Sequence, residues 1–373
     1  PNDLGLVIAS LDADGVSLLE AARSTMIPLG RIGPPRHLRR QVKEVGAYFT
    51  PEDIAEWVAQ QVVTRATKQI RRRMERLRAL KDSARIPEAF QQLLEIKICD
   101  PAMGDGVFLV EAGLRLKSTI DQCKDLLPAN FARDIDFSEG TGAWVAGHCL
   151  YGVDLDPVAV QESRRRIRQV LCPESSSSVI RALQSHLVCG NSLIDPQAHL
   201  LLGRDVRLKD ELRRMAHVGR TAFRETPRNQ LLASRLPESN CQTFSWVSNF
   251  PEVFARTSGS ARGFDIVLGN PPWEALKPDD REFFDQLFPT FSTLSKDTRE
   301  RKKAELLREP EIAERYQRYV KEIEAKLAMI RGSHLFSHQT VGHEKMCGSW
   351  GYNTFRLFTE LGYHLCARRG WFS

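Results

Sequence analysis

The spacing of apolar residues along the chain predicts alternating strands and helices. Residues 266–268 form a short, β-branched apolar run with the length of a buried parallel strand, and similar short runs occur at 96–99, 150–153 and 186–189. Segments with helical apolar spacing follow several of these runs, as at 158–170. This alternation predicts an α/β fold with a central, mostly parallel sheet and helices on both of its faces.

Long charged segments interrupt the alternation. Residues 63–95 have a helical, strongly basic pattern, residues 200–262 are polar and rich in arginine, and residues 279–350 are largely helical and charged. We therefore expect three large, mainly helical insertions between the sheet elements, the second of which contains an aromatic island at 244–254. The segments that follow are predicted as an amphipathic helix at 352–361 and a strand that begins near Trp371.

A long helix is predicted to begin just after residue 50. Thr50 is a good N-cap, Pro51 suits the first helical position, and the acidic residues 52 and 53 favour the positive end of the helix dipole. The pattern fits either an ordinary helix start or a loop whose backbone donors lie against a cofactor. One face of this helix is then expected to contain Ile54, Trp57, Val58 and Val62.

Composition and charge add broader constraints. The chain has 373 residues, of which 42% are hydrophobic and 27% charged, as in a soluble globular protein, and its net charge of +6 permits a polyanionic partner without requiring one. The eight cysteines form no CxxC pair and none has a histidine at zinc-ligand spacing. We expect reduced thiols in a cytoplasmic protein, no metal site and, since no apolar run has the required length, no membrane span.

The strand predicted at 266–268 is followed by candidate catalytic residues. Gly269 and the pair at 271–272 end the strand at the carboxyl edge of the sheet, where open α/β sheets bind ligands. The Asn270 carboxamide oxygen and the Pro271 carbonyl can each accept an N–H from the exocyclic amine of a nucleobase, which stabilises the charge that develops as the amine attacks a methyl group. Trp273 can stack on a base that has left its duplex. The alternative is an ordinary Pro-Pro turn with Trp273 in the core.

A second candidate site lies where three other predicted strands end. Gly104 and Gly106 allow the backbone to approach a ligand closely, and the helix after them offers free N–H groups. The turn has neither GxGxxG nor GK[ST], so it suits a carboxylate or a sugar better than a pyrophosphate. Asp154 is expected at a strand tip, where it can accept both ribose hydroxyls, and Asn191 is placed to contact the edge of an adenine-type ring.

Taken in order, these motifs resemble those of amino-methyltransferases that use S-adenosylmethionine. The series is Tyr-Phe-Thr-Pro at 48–51, Asp-Pro-Ala-x-Gly-x-Gly-x-Phe-Leu at 100–109, Gly-x-Asp-x-Asp-Pro at 152–157, Gly-Asn-Ser-Leu at 190–193 and Asn-Pro-Pro-Trp at 270–273, with Phe-Pro-Glu-Val-Phe at 250–254 and Tyr-Asn-Thr-Phe-Arg-Leu-Phe at 352–358. The chain is similar to gamma-type N6-adenine DNA methyltransferases, particularly the large Eco57I-like restriction-modification and phage-defence enzymes.

The resemblance implies a fold and an activity. It implies a Rossmann-like methyltransferase domain over residues 46–373, preceded by a segment of unassigned role at 1–45 and followed by a target-recognition domain past residue 373. Because the chain begins at Pro1 and ends in what reads as the start of a strand, we expect it to be part of a longer protein. The implied reaction transfers a methyl group from S-adenosylmethionine to N6 of a flipped-out adenine in double-stranded DNA. Other subunits of a defence system are further potential partners.

The resemblance also assigns roles to individual residues. Thr50 and Pro51 would flank the methionine part of the cofactor, Asp100 and the turn after it would contact the amino acid moiety, and Asp154 and Asn191 would contact the ribose and the adenine ring. Family members usually have Asp at the position of Asn191 and often Glu at that of Asp154. The catalytic residues would be Asn270, Pro271, Pro272 and Trp273, and the cofactor-binding residues Tyr48, Thr50, Pro51, Asp100, Pro101, Ala102, Gly104, Gly106, Phe108, Asp154, Asn191 and Ser192.

Other activities share the same tetrapeptide. Methyltransferases that act on cytosine N4, on RNA or on a protein glutamine use it as well, and a catalytically degenerate module that binds DNA or a partner is a non-enzymatic alternative. A C5-cytosine enzyme is disfavoured because no Pro-Cys nucleophile stands at the appropriate place. The length, the charged insertions and the flanking motifs favour the adenine enzyme.

Overall fold

A computed structural model describes residues 50–128, 131, 137–174, 177–202, 244–255, 262–340 and 352–373, together with the backbone of residues 9–10. Tyr48, most of the segment 1–45 and most of the insertion at 200–262 lie outside the described residues. Within the described residues, no helix is long and apolar enough to cross a membrane.

In the described part of the chain, one sheet contains six strands in the order β1-β8-β5-β2-β3-β4. The strands from β8 to β4 are parallel to their neighbours, and β1 pairs antiparallel with β8 at one edge. A separate antiparallel ladder joins β6 to β7. The strands are β1 (Ala9–Ser10), β2 (Ile98–Asp100), β3 (Leu150–Asp154), β4 (Leu187–Cys189), β5 (Phe264–Val267), β6 (Ala275–Leu276), β7 (Tyr352–Asn353) and β8 (Cys366–Phe372).

Helices cover both faces of the sheet, as the apolar pattern predicts. Successive strand residues point to opposite faces, so that Ile98 belongs to one apolar cluster and Cys99 to the other. One cluster packs helices α1 to α6 and the other packs the aromatic island with α12 and α14. The helices are α1 (Glu52–Ala79), α2 (Ile86–Leu94), α3 (Val107–Lys124), α4 (Gly140–His148), α5 (Pro157–Leu171), α6 (Ser177–His186), α7 (Ala198–Leu201), α8 (Trp246–Asn249), α9 (Pro251–Phe254), α10 (Asp280–Asp285), α11 (Lys296–Leu306), α12 (Pro310–Gly332), α13 (Ser337–Thr340) and α14 (Thr354–Leu365).

The predicted start of α1 needs two corrections. Pro51 is the N-cap and the helix begins at Glu52, while Thr50 makes no capping hydrogen bond because its hydroxyl has a different partner, described below. Trp57 is 38% exposed and does not join the buried face. The buried stripe begins with alanines and valines at 55, 58, 59, 62 and 63 and continues with larger residues, and at 100° per residue Trp57 lies on the opposite side of the helix.

The last elements also differ from the prediction. Tyr352 belongs to β7 rather than to a helix, because it pairs with Leu276. The final strand begins at Cys366 instead of near Trp371, and its pairing with β5 contains a register irregularity. Gly370 permits this irregularity, because a Cβ there would lie 2.9 Å from the backbone oxygen of Phe264.

Candidate functional site

The carboxyl ends of β2, β3 and β5 meet at one edge of the sheet. Asp100 ends β2, Asp154 ends β3, and Gly269 and Asn270 follow β5. The register of the parallel pairs brings these ends together, since Ile98 pairs with both Leu150 and Ile266. Residues that are up to 170 positions apart in the sequence therefore line one cleft, as expected for an open α/β sheet.

Asp100 is buried against the neighbouring strand. Its Oδ1 accepts a hydrogen bond from the Ala102 amide at 3.0 Å, whereas its Oδ2 is shielded from solvent and has no hydrogen-bond partner among the described residues. Burial raises the pKa of Asp100 to about 8, and the carboxylates of Asp154 and Asp105 also raise it. Residue 269 has to be glycine here, because a Cβ would lie 2.4 Å from Asp100 Oδ1.

The turn after Asp100 is held by backbone and side-chain contacts. Gly104 and Gly106 have φ angles of 52° and 81°, which glycine adopts without strain. A Cβ at Gly104 would meet open space, so a ligand can approach the backbone there. The amide of Gly104 donates to Asp154 Oδ2 at 2.9 Å and its carbonyl accepts from the Ser163 hydroxyl at 2.7 Å. The turn is therefore attached to both β3 and α5.

A charged contact links the same turn to the start of α1. Arg166 donates to Asp105 Oδ2 at 2.5 Å and to the carboxylate of Glu52. The motif series did not include Arg166 or Ser163, because both lie in the basic, helical pattern of α5 and carry no local signature. Their positions on α5, facing the turn, depend on the packing of α5 against β3.

Asp154 already accepts two backbone hydrogen bonds. Its Oδ1 accepts from the amide of Asp156 at 2.9 Å, and its Oδ2 accepts from Gly104. Burial raises the pKa of Asp154. Each carboxylate oxygen has a second lone pair, so the group retains the capacity to accept hydroxyl donors from a ligand.

The residues after β4 support the turn from the other side. The Ser192 hydroxyl donates to the Pro101 carbonyl at 2.6 Å, and the Ser192 carbonyl accepts from Trp246 Nε1 at 3.1 Å. The Asn191 side chain accepts from the Leu193 amide at 3.0 Å. Trp246 is fully buried, so the aromatic island at 244–254 is a structural support for this part of the site.

Both the nitrogen and the oxygen of the Asn270 carboxamide make hydrogen bonds. Its Nδ2 donates to Thr50 Oγ1 at 3.2 Å, and its Oδ1 accepts from Trp273 Nε1 at 3.2 Å. Thr50 therefore orients Asn270 rather than capping α1, and the amide oxygen receives an N–H from an aromatic heterocycle. Trp273 is 43% exposed, so the alternative of an ordinary turn with Trp273 in the core is wrong.

The start of α14 holds the segment that follows Asn270. Thr354 Oγ1 donates to the Pro272 carbonyl at 2.6 Å, and the Thr354 amide donates to the Glu274 carbonyl at 2.9 Å. The rings of Trp273 and Phe355 have centroids 5.1 Å apart. Neither Thr354 nor Phe355 was a candidate from the sequence, although both belong to the motif at 352–358.

Most of the candidate residues that the structure describes lie around this cleft. Phe108 differs from the others because its side chain packs in the apolar core cluster with Leu109 and Val107. Among the described residues, no three His, Cys, Asp or Glu side chains are grouped as metal ligands would be. The cysteines that the structure describes are free thiols.

Comparisons with known proteins point to a methylase family. Residues 148–305 match the model of a family described as Eco57I restriction-modification methylase. A putative type II restriction enzyme and methyltransferase of Methanocaldococcus jannaschii is 26% identical over 179 residues, which cover 41% of this chain and 15% of that protein. This chain thus spans a small part of that relative's length. The matched residues make up 158 of the chain's 373, and together with the mostly parallel sheet flanked by helices they support an Eco57I-like family of restriction-modification methylases.

Proposed function

We propose that this chain carries the methyl-transfer site of a DNA methyltransferase that modifies N6 of a flipped-out adenine, with S-adenosylmethionine as the methyl donor, in a restriction-modification or phage-defence system. The observation that carries the proposal is the Asn270 carboxamide, which lies one residue beyond Gly269 at the carboxyl edge and whose oxygen accepts an aromatic N–H. The family match supports methyl transfer, and the chemistry of Asn270 supports an amine as the acceptor.

The residues on the β2 and β3 side of the cleft fit the proposed cofactor. When bound, S-adenosylmethionine supplies an electrophilic methyl group on a positively charged sulfur atom. Asp100 Oδ2 is a buried acceptor without a partner among the described residues, which suits the ammonium of a methionine moiety. Gly104 borders open space, and Asp154 retains acceptor capacity for ribose hydroxyls.

The residues on the β5 side fit an exocyclic amine. In the structure the indole N–H of Trp273 occupies Asn270 Oδ1, so the amine of the target base would replace it there and donate its second N–H to the Pro271 carbonyl. Both acceptors would stabilise the positive charge that develops on N6 as it forms its bond to the methyl carbon, while the bond from that carbon to the donor sulfur breaks and its electron pair stays on sulfur. One N–H proton then leaves to solvent, which restores the neutral amine. The displaced Trp273 ring is exposed enough to stack on the base.

The test is a methyl-transfer assay with the full chain, labelled S-adenosylmethionine and double-stranded DNA, followed by analysis of the modified nucleosides. We expect label in N6-methyladenine, and about 10²–10³-fold slower labelling in the reaction with Asn270→Ala. Label in N4-methylcytosine, in RNA or on protein glutamine would overturn the adenine assignment and retain the transfer chemistry.

A binding measurement separates an inactive module from an enzyme that lacks its target sequence. Cofactor binding by the full chain, measured by calorimetry, is expected for the wild type and for Asn270→Ala alike. If neither protein binds S-adenosylmethionine, the proposed cofactor is wrong.

A further inference from the structure

A polar cavity lies between α1 and α3, on the flank of the domain. Its volume is about 350 Å³, and it is lined by residues from the third to the sixth turn of α1 and from the middle of α3. The two helices run in the same direction, because Arg166 bridges the residues at their starts and Arg78 reaches the Asp125 carbonyl at their ends. Arg65 is about 20 Å from the start of α1, given the rise of a helix. The cavity therefore shares no residue with the cleft at Asn270.

The lining of this cavity is strongly cationic. It contains five basic side chains and no carboxylate, the other lining residues being glutamines and threonines. Arg71 has an ion pair with Glu75, 3.5 Å away on the exposed surface of α1, which offsets part of one charge. The basic lining residues are Arg65, Lys68, Arg71, Arg72 and Arg115.

Two of the arginines that line the cavity differ in their hydrogen bonds. Arg115 donates to Thr64 Oγ1 from both Nε and Nη2, at 3.3 and 3.2 Å, so its guanidinium bridges the two helices. Nη1 of Arg65 is shielded from solvent and has no hydrogen-bond partner among the described residues. A buried donor without a partner is costly, so the Arg65 side chain would have to turn toward the cavity before an anionic oxygen there could satisfy Nη1.

We propose that this cavity binds phosphate groups. Guanidinium groups match the geometry of phosphate oxygens, and several cations without a carboxylate between them favour a multiply charged anion over a monovalent one. The phosphates come either from a free nucleotide or from a nucleic acid that passes along the flank. This site is independent of the proposed methyl transfer, because its residues lie outside the cleft.

The test is the affinity of the full chain for inorganic pyrophosphate, measured by calorimetry. We expect saturable binding that weakens by about tenfold in Arg65→Gln and in Arg115→Gln, the size of a lost charged hydrogen bond. The matched control is Arg76→Gln, which removes an exposed charge from the same helix outside the cavity and should change the affinity by less than about twofold. Binding of S-adenosylmethionine and the thermal unfolding curve report whether each variant is folded.

Absence of saturable pyrophosphate binding, or equal weakening in Arg76→Gln and Arg65→Gln, overturns the proposal, because equal weakening indicates a diffuse basic surface. The source of the phosphates is then identified with ATP and with a 20-base-pair DNA duplex as separate ligands. Whichever of the two loses affinity in Arg65→Gln but not in Arg76→Gln is the source. If pyrophosphate alone does so, the site takes free inorganic phosphates.

Discussion

The two sides of the cleft are built differently. The side proposed to bind the cofactor, called the cofactor side below and formed by Asp100, the turn at 101–106 and Asp154, is largely buried and is held by backbone hydrogen bonds from one strand end to the next. The acceptor side, formed by residues 270–273, is more exposed and is held by side chains, with Thr50 on Asn270 and Thr354 on Pro272. The difference indicates that the cofactor side is preformed, whereas the acceptor side can rearrange when a base enters.

The largest expected effect tests the acceptor side alone. Replacement of Asn270 by Ala removes one of the two N–H acceptors and is expected to lower kcat by about 10²–10³-fold, as for other groups that stabilise developing charge. The KM for S-adenosylmethionine should change far less than kcat, because Asn270 bonds to Thr50, one expected cofactor contact, but to none of Asp100, the turn at 101–106 and Asp154. A parallel loss of cofactor affinity would show that the two sides are not separate.

The second prediction concerns the point where the two sides touch. Gly269→Ala would place a methyl group 2.4 Å from Asp100 Oδ1, so the strand ends have to move apart. We expect the free energy of unfolding, measured with urea, to fall by about 1–3 kcal/mol. The control is Gly332→Ala at the end of α12, where a Cβ meets open space and the change should be under about 0.5 kcal/mol. Equal stability of the two variants would contradict the close packing of β2 and β5.

The third prediction uses the pKa of Asp100, which burial raises to about 8. Without a ligand the carboxyl is therefore mostly protonated at neutral pH, and a bound ammonium would favour its ionised form. The affinity for S-adenosylmethionine should rise with pH, by up to about tenfold per unit, and level off above about pH 8. Calorimetry between pH 6 and 9 measures this, and in Asp100→Asn the same rise should be absent.

The same carboxyl links folding to pH. Because its pKa is raised above the unfolded value, the folded protein binds more protons than the unfolded chain between about pH 4 and 8. Its contribution to stability is therefore complete below the unfolded pKa and is lost as the pH rises through about 8. Wild type without cofactor should lose more stability across this range than Asp100→Asn, and identical profiles would exclude a buried, protonated Asp100.

The smallest expected effect concerns Trp273, whose indole N–H donates a hydrogen bond to Asn270 Oδ1. Trp273→Phe keeps an aromatic ring for stacking but removes the N–H that competes for Oδ1. A hydrogen bond of this kind contributes about 1 kcal/mol, so the KM for DNA should fall by up to about fivefold while kcat changes little. In Trp273→Ala, by contrast, the KM should rise, because stacking is lost. An increase in KM for both variants would show that the indole N–H assists binding.

Much of the cofactor side could be predicted from the sequence because its signals are local. An apolar run that stops at Asp100 and is followed by two glycines specifies a strand, a turn and a helix within about ten residues. Local signals of the same kind predict the strand that ends at Asp154 and the strand that comes just before Gly269. Since the carboxyl ends of parallel strands share one edge, these residues could be placed together without knowledge of the packing.

Contacts between distant segments could not be predicted in this way. Thr50 has the pattern of an N-cap, yet its hydroxyl binds Asn270, which is 220 positions away. Phe355 contacts Trp273, and Arg166 holds the turn after Asp100, although each lies in a helical segment whose periodicity gives no sign of the contact. The apolar spacing predicts Trp57 on one helical face with Val58 and Val62, yet those valines are buried in a stripe with alanines and Trp57 is exposed.

The sequence by itself determined the order of strands and turns and the residue types at each strand end, because apolar periodicity and Gly or Pro breaks act over a few residues. Only the tertiary structure decided which side chains meet across the cleft, where the last strand begins, and that α1 and α3 enclose a cationic cavity. The physical reason is that these features depend on the packing of whole helices and strands, and such packing brings together groups whose local sequence carries no record of their partners.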